Sequence, residues 1–142
     1  MILTITGGYR EAFPTIRGTV VAWAAIEAQC RQWACELGPQ GVRVVWLRTT
    51  GLPEAIPDSG DAVADLGTGY GKGMTREEII AEMREQTILR RLASLAELGR
   101  VAALIASYGA GPMTATFANI TCSLHTGLTC RSAFLPSSSG TE

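Results

Sequence analysis

The sequence has few charged residues, and the charges that it has nearly cancel. Charged side chains make up 18% of the 142 residues, whereas an average soluble protein has about 25%. Twelve Lys and Arg stand against thirteen Asp and Glu, which gives a formal net charge of −1. A nucleic acid backbone or an anionic membrane attracts basic surfaces, so this balance argues against both partners.

Long apolar runs are also absent. The longest uninterrupted run, residues 20–26, is far shorter than the roughly 20 residues that a transmembrane helix needs. The apolar stretch at the N-terminus has no basic flank and is too short for a secretory signal. The sequence therefore predicts a soluble, cytoplasmic protein without a membrane partner.

Histidine and cysteine give little support for a metal or redox site. His125 is the only histidine, and no carboxylate lies at a recognisable catalytic spacing from it. The cysteines Cys30, Cys35, Cys122 and Cys130 show no C-x-x-C spacing. We expect reduced, mostly buried thiols and no metal.

Apolar residues, in contrast, are abundant. They make up 46% of the chain, and the mean hydropathy is +0.18. A single globular domain of this length with so apolar a composition has either a very full core or an additional buried interface.

The pattern of residues predicts alternating strands and helices. Runs rich in β-branched residues at 2–5, 42–47 and 114–121 are typical of strands. Helices are predicted at residues 19–37, 75–89 and 94–108, the last two beginning after the N-cap residues Thr75 and Ser94. Because a helix that connects two strands favours a parallel pair, the order predicts an α/β fold with about three parallel strands and three helices.

The predicted helix at residues 19–37 has two apolar stripes. One repeats at spacings of three and four and consists of Val20, Trp23, Ile26, Cys30, Trp33 and Leu37. The other is made mostly of small side chains and consists of Val21, Ala24, Ala25, Ala28 and Cys35. We expect this helix to be buried on two sides, by two different partners.

Several segments in the right order resemble the short-chain dehydrogenase/reductase family. Residues 34–44, A-C-E-L-G-P-Q-G-V-R-V, are similar to the family's A-x-E-L-G-P-x-G-V-R-V. Further similar segments lie at residues 47–53, 89–97, 105–107 and 113–119. The resemblance implies a partial Rossmann-like, doubly wound domain over residues 1–121 that corresponds to the C-terminal half of the family's domain. Residues 122–142, rich in Ser, Thr and Gly, are predicted to be a disordered tail.

The resemblance places the family's catalytic serine, tyrosine and lysine at Thr6, Thr19 and Trp23. In the family, the tyrosine exchanges a proton with the substrate while hydride moves between substrate and nicotinamide, and the lysine lowers the pKa of the phenol. An aliphatic hydroxyl at Thr19 does not ionise near neutral pH, and Trp23 carries no charge. Thr6 either donates a hydrogen bond to a substrate carbonyl or is a structural threonine at a strand end.

The cofactor loop of the family corresponds to Thr49, Thr50, Gly51 and Leu52. Thr49 and Thr50 replace its Pro-Gly, and Glu54 or Ala55 stands where a threonine usually contacts the cofactor. The first strand is followed by Gly7 and Gly8 without the third glycine of G-x-G-x-x-G. The resemblance implies NAD(P) as the cofactor, and these replacements predict that this chain binds it poorly.

Three functions follow as hypotheses. The first is a truncated homologue of these oxidoreductases, derived from NAD(P)-dependent alcohol or ketone oxidoreduction and inactive alone. The second is an active oxidoreductase that works with a separate nucleotide-binding chain or with reassigned catalytic groups. The third is a non-catalytic oligomerisation or partner-binding module. The resemblance implies that the helix at residues 19–37 forms a homo-oligomer interface.

Overall fold

Three parallel strands form a single sheet in the computed structural model, which describes residues 1–7, 18–60 and 71–122. The strands are β1 (Ile2–Gly7), β2 (Val44–Thr49) and β3 (Thr116–Ile120), and their order across the sheet is β1-β2-β3. The described ranges contain three α-helices, which are α1 (Thr19–Leu37), α2 (Arg76–Glu85) and α3 (Leu95–Ala106). The predicted α/β fold with parallel strands is confirmed.

The ends of several elements differ from the predicted bounds. Helix α2 ends at Glu85 rather than at residue 89, because the Thr87 hydroxyl donates to the carbonyl oxygens of Arg84 and Arg91 and holds the chain in a turn. Strand β3 begins at Thr116 rather than at residue 114, because Ala115 has a φ of 52° that interrupts extended backbone. Strand β2 begins at Val44, because the Val42 amide still bonds to the end of α1.

The core consists of two layers on the two faces of β2. Helix α1 covers one face, where Cys30 and Ala34 pack with Val44 and Trp46. Helix α3 covers the other face, where Leu98 and Ile105 pack with Val45 and Leu47. Neighbouring residues of β2 therefore alternate between the layers and are buried in both, as expected of the central strand of a parallel sheet.

Among the described residues, the buried positions of helix α1 lie on one side of the helix. The predicted apolar stripe is partly wrong, because Ile26 and Trp33 are 39% and 37% exposed, whereas Glu27 is buried. The reason is that Glu27 faces an arginine of the sheet, described below. The second stripe, of small residues, is exposed throughout, and its predicted partner stays a prediction.

Arg43 connects the start of β2 to the end of α3. Its guanidinium donates to a set of carbonyl oxygens at and just beyond the end of α3, namely those of Ile105, Ala106, Ser107, Ala110 and Met113. The arginine thus provides hydrogen-bond donors for carbonyl oxygens at the C-terminus of the helix. The arginine of the V-R-V segment thus holds α3 against the sheet.

Candidate functional site at the carboxyl ends of the strands

Thr6 and Arg48 lie side by side near the carboxyl ends of β1 and β2. The two residues are partners in the strand register, and Asn119 of β3 is the next partner across the sheet. Ligands of open α/β sheets bind outside the carboxyl ends of the strands. This edge is therefore where a functional site is expected, and Thr6 is the one predicted catalytic residue that lies in the sheet itself.

Glu27 of α1 joins Thr6 and Arg48 in a buried cluster. Its carboxylate accepts hydrogen bonds from Arg48 Nε and Nη2, both at 2.6 Å, and from the Thr6 hydroxyl at 3.3 Å. The three residues are only 2–5% exposed, and the Arg48 guanidinium lies 3.4 Å from the centre of the Phe117 ring. Burial of two charges is costly unless they are paired and hydrogen-bonded, and here both conditions hold.

The sequence contains a pattern that points to the Thr6–Glu27–Arg48 cluster. The assignment of catalytic residues by resemblance did not draw on this pattern. Glu27 lies on the buried side of α1, four residues after Trp23 and three before Cys30. Arg48 directly follows four buried apolar residues of β2. A negative and a positive charge, each within a buried stripe, predict that the two pair with each other.

Trp23, which the resemblance aligns with the family's lysine, lies at the end of β1. It is half-buried, and a side chain at Gly7 would collide with its indole ring. Thr19 is the first residue of α1, one helical turn before Trp23 and half-buried. The structure thus brings Thr6, Gly7 and Trp23 together, but it supplies an indole where the family's proton transfer needs an ammonium.

The four predicted cofactor residues face mostly protein. The Thr49 hydroxyl donates to the Thr50 carbonyl oxygen at 3.1 Å. The Thr50 hydroxyl is buried and has no hydrogen-bond partner in the described part of the chain. A side chain at Gly51 would lie 2.6 Å from the Met83 sulfur of α2, and Leu52 packs into the core on the α3 side.

Glu54, one of the two residues that the resemblance aligns with the family's cofactor-contacting threonine, binds the protein itself. Both carboxylate oxygens lie 3.2 Å from the Leu95 amide at the start of α3. Arg76 donates to the carbonyl oxygens of Pro53 and Ile56, at 2.7 and 3.1 Å. The loop after β2 is thereby tied to α2 and α3.

Metal sites and membrane spans are both absent from the part of the chain that the structure describes. Among residues 1–7, 18–60 and 71–122, no three His, Cys, Asp or Glu side chains are grouped so that they could hold a metal ion. Cys30 is buried, Cys122 is half-buried and Cys35 is exposed, and all three are free thiols. His125, Cys130 and the predicted tail from residue 123 lie outside the described residues. No helix of the described ranges is long and apolar enough to span a membrane.

The similarity of this chain to known proteins is visible in its structure. No family model and no curated protein matches the sequence. An enoyl-(acyl-carrier-protein) reductase from Anaplasma phagocytophilum in complex with NAD matches 87% of the chain with a TM-score of 0.66 and 21% identity. FabI from Candidatus Liberibacter asiaticus matches 84% with a TM-score of 0.65 and 21% identity. A short chain dehydrogenase family protein from Francisella tularensis matches 84% with a TM-score of 0.65 and 16% identity.

The chain spans less than half the length of these proteins. The matched part is 43% of the Anaplasma enzyme, 42% of the Liberibacter enzyme and 49% of the Francisella protein. The described residues therefore have the fold of part of a short-chain dehydrogenase/reductase domain.

Proposed function

We propose that this chain is a short-chain dehydrogenase/reductase homologue that does not catalyse NAD(P)-dependent oxidoreduction by itself. The observation that carries the proposal is the Thr6–Glu27–Arg48 cluster, which engages Thr6, the residue that the resemblance aligns with the family's catalytic serine. The Thr6 hydroxyl donates to a buried carboxylate, so it is not available to polarise a substrate carbonyl.

The chemistry of the other two positions supports the same conclusion. General acid catalysis at neutral pH needs a group whose pKa is brought near the working pH. An aliphatic hydroxyl at Thr19 does not meet this requirement, and the indole of Trp23 supplies no positive charge that would lower a neighbouring pKa. The loop at residues 49–54 is bound to α2 and α3 by its own side chains, which supports poor binding of NAD(P).

A fluorescence titration of NADH and NADPH with the purified chain tests this proposal. We expect no enhancement of nicotinamide fluorescence at millimolar protein and no oxidation of either cofactor with ketone or enoyl substrates. A full-length enoyl reductase under the same conditions is the positive control. A saturable enhancement, or turnover by the chain alone, would overturn the proposal and favour an active enzyme with reassigned catalytic groups.

The exposed side of α1 favours a second candidate, a module that forms homo-oligomers. Its outer face, defined as Val21, Ala24, Ala25, Ala28 and Cys35, is exposed along the helix and lies beside the buried side that carries Glu27, Cys30 and Ala34. Val21 is 71% exposed. Small apolar side chains let a second helix approach closely, so this face fits a helix of another copy.

A further inference from the structure

A cleft of about 350 Å³ lies beside the carboxyl end of β3 and the first turns of α3. Its volume falls within the roughly 300–1,000 Å³ that small-molecule sites occupy. Arg91, Glu97 and Arg100 supply its charges, Asn119 contributes an amide, and Val101 and Ile120 contribute apolar surface. The Thr6–Glu27–Arg48 cluster contributes no residue to this cleft.

The charges in the cleft do not cancel. Arg91 Nη1 donates to Glu97 Oε2 at 2.9 Å, and the same oxygen accepts the Ser94 amide. The bond from the Ser94 backbone and the Arg91 guanidinium lower the pKa of Glu97 to about 2, so this carboxylate is ionised and its charge is paired with that of Arg91. Arg100 has no carboxylate within ion-pair distance among the described residues, and one positive charge is left without a counter-ion.

Asn119 and Arg100 supply hydrogen-bond donors in the cleft. Asn119 Oδ1 accepts bonds from the Thr121 amide at 3.2 Å and from the Thr121 hydroxyl at 2.7 Å. These bonds fix the orientation of the side-chain amide and leave its Nδ2 group as a donor. The Arg100 guanidinium adds further donors. A matching ligand therefore carries an acceptor-only, negatively charged head, and the apolar walls fit a hydrocarbon body.

We propose that this cleft binds a small organic monocarboxylate. Its carboxylate pairs with Arg100 and accepts from Asn119 Nδ2, while its hydrocarbon part lies against Val101 and Ile120. A single carboxylate balances the one uncompensated charge, whereas a second would have to be placed beside Glu97. The site is separate from the positions of the family's catalytic residues and does not depend on the function proposed above.

An NMR titration of the isotopically labelled chain with hexanoate tests the site. We expect saturable shifts of the backbone amides of Val101, Asn119 and Ile120. Hexan-1-ol lacks the charge and inorganic phosphate lacks the hydrocarbon body, so each is expected to bind at least about tenfold more weakly. Equal binding of either probe, or an absence of shifts at these amides, would refute the proposal.

The variant Arg100→Gln tests whether hexanoate binds specifically in the cleft or is attracted by any positive charge on the surface. Arg100 is exposed and makes no ion pair in the described ranges, so the variant is expected to fold and to bind hexanoate at least about tenfold more weakly. Arg84→Gln removes an exposed arginine of α2 and is expected to leave binding unchanged. Protection of Cys122 from iodoacetamide by hexanoate, resolved by mass spectrometry, gives a second readout. Equal hexanoate affinities of the two variants would contradict the assignment of Arg100.

Discussion

At the scale of single residues, the charged pair Glu27 and Arg48 is buried between α1 and the sheet. Thr6 lies at the end of β1, and the structural alternative for this residue agrees with the bond from its hydroxyl to Glu27. The pair itself was not predicted, because a helical pattern shows which side of α1 is buried only approximately. The shift of burial from Ile26 to Glu27 follows from contacts between residues 21 positions apart, which no local pattern contains.

We predict that the two charges depend on each other for stability. Arg48→Met leaves the buried Glu27 carboxylate without its counter-ion and is expected to lower the free energy of unfolding by about 3–5 kcal/mol. The double variant Glu27→Leu/Arg48→Met replaces both charges by apolar groups and is expected to recover most of this loss. Urea denaturation followed by circular dichroism measures both effects.

Glu85→Gln is the control for this pair. It breaks an ion pair with Arg90 whose side chains are 64% and 75% exposed, so we expect a change below about 1 kcal/mol. If Arg48→Met were no more destabilising than Glu85→Gln, the buried pair would not hold α1 to the sheet. If the double variant were less stable than Arg48→Met alone, the Thr6–Glu27–Arg48 cluster would contribute more than charge compensation.

At the scale of elements, sequence patterns predicted which segments form helices and strands better than where these end. The capping boxes at Thr75 with Glu78 and at Ser94 with Glu97 are both present, because a cap depends on residues only three positions apart. The end of α2 depends instead on a bond between Thr87 and Arg91 beyond the helix, and the start of β3 on the backbone of Ala115. Neither of these two features produces a periodic pattern of apolar residues in the sequence.

The start of α3 is predicted to lose stability in acid. The pKa of Glu97 is about 2 in the folded chain, through bonds from Ser94 and Arg91, whereas its ordinary value is 4.5. A carboxyl whose pKa is lower in the folded state stabilises that state above the unfolded pKa, and this contribution disappears as the pH falls through the folded pKa. The midpoint of urea unfolding should therefore decrease between pH 4.5 and about 2, in part through Glu97.

Glu97→Gln is expected to reduce this pH dependence, because glutamine does not ionise. Glu82→Gln, at an exposed position of α2, serves as the matched control and should retain the dependence of the unmodified chain. Identical pH profiles for the unmodified chain and Glu97→Gln would show that the bonds of Glu97 do not contribute to stability in this range.

At the scale of the whole molecule, the excess of apolar residues is explained by incomplete coverage of the sheet. Helix α1 packs on β1 and β2, and Phe117 of β3 on the same face is 38% exposed. Helix α3 packs on β2 and β3, and Ile5 of β1 is 52% exposed. Parallel sheets are normally covered on both faces. The composition allowed either a very full core or an additional buried interface. These surfaces, together with the outer face of α1, correspond to the additional interface.

If the outer face of α1 joins two copies, a charge at its centre should separate them. We expect the chain to have the mass of a dimer or larger oligomer in light scattering, under reducing conditions that prevent a crosslink through Cys35. Ala28→Glu places a carboxylate in the middle of that face, where the approach of a second helix would bury it without a partner. This variant is expected to be monomeric with unchanged helix content.

Ala81→Glu makes the same substitution at an exposed position of α2 and is expected to keep the oligomer. Ala28→Glu and Ala81→Glu both replace an alanine by a glutamate. The two variants therefore differ only in the position of the added charge on the molecule. A monomeric unmodified chain throughout a dilution series, or the same oligomeric state for both variants, would contradict the α1 interface. Exposed Ile5 and Phe117 would then be the remaining apolar surfaces through which the sheet meets a partner, since burial of apolar area is the main driving force for such contacts.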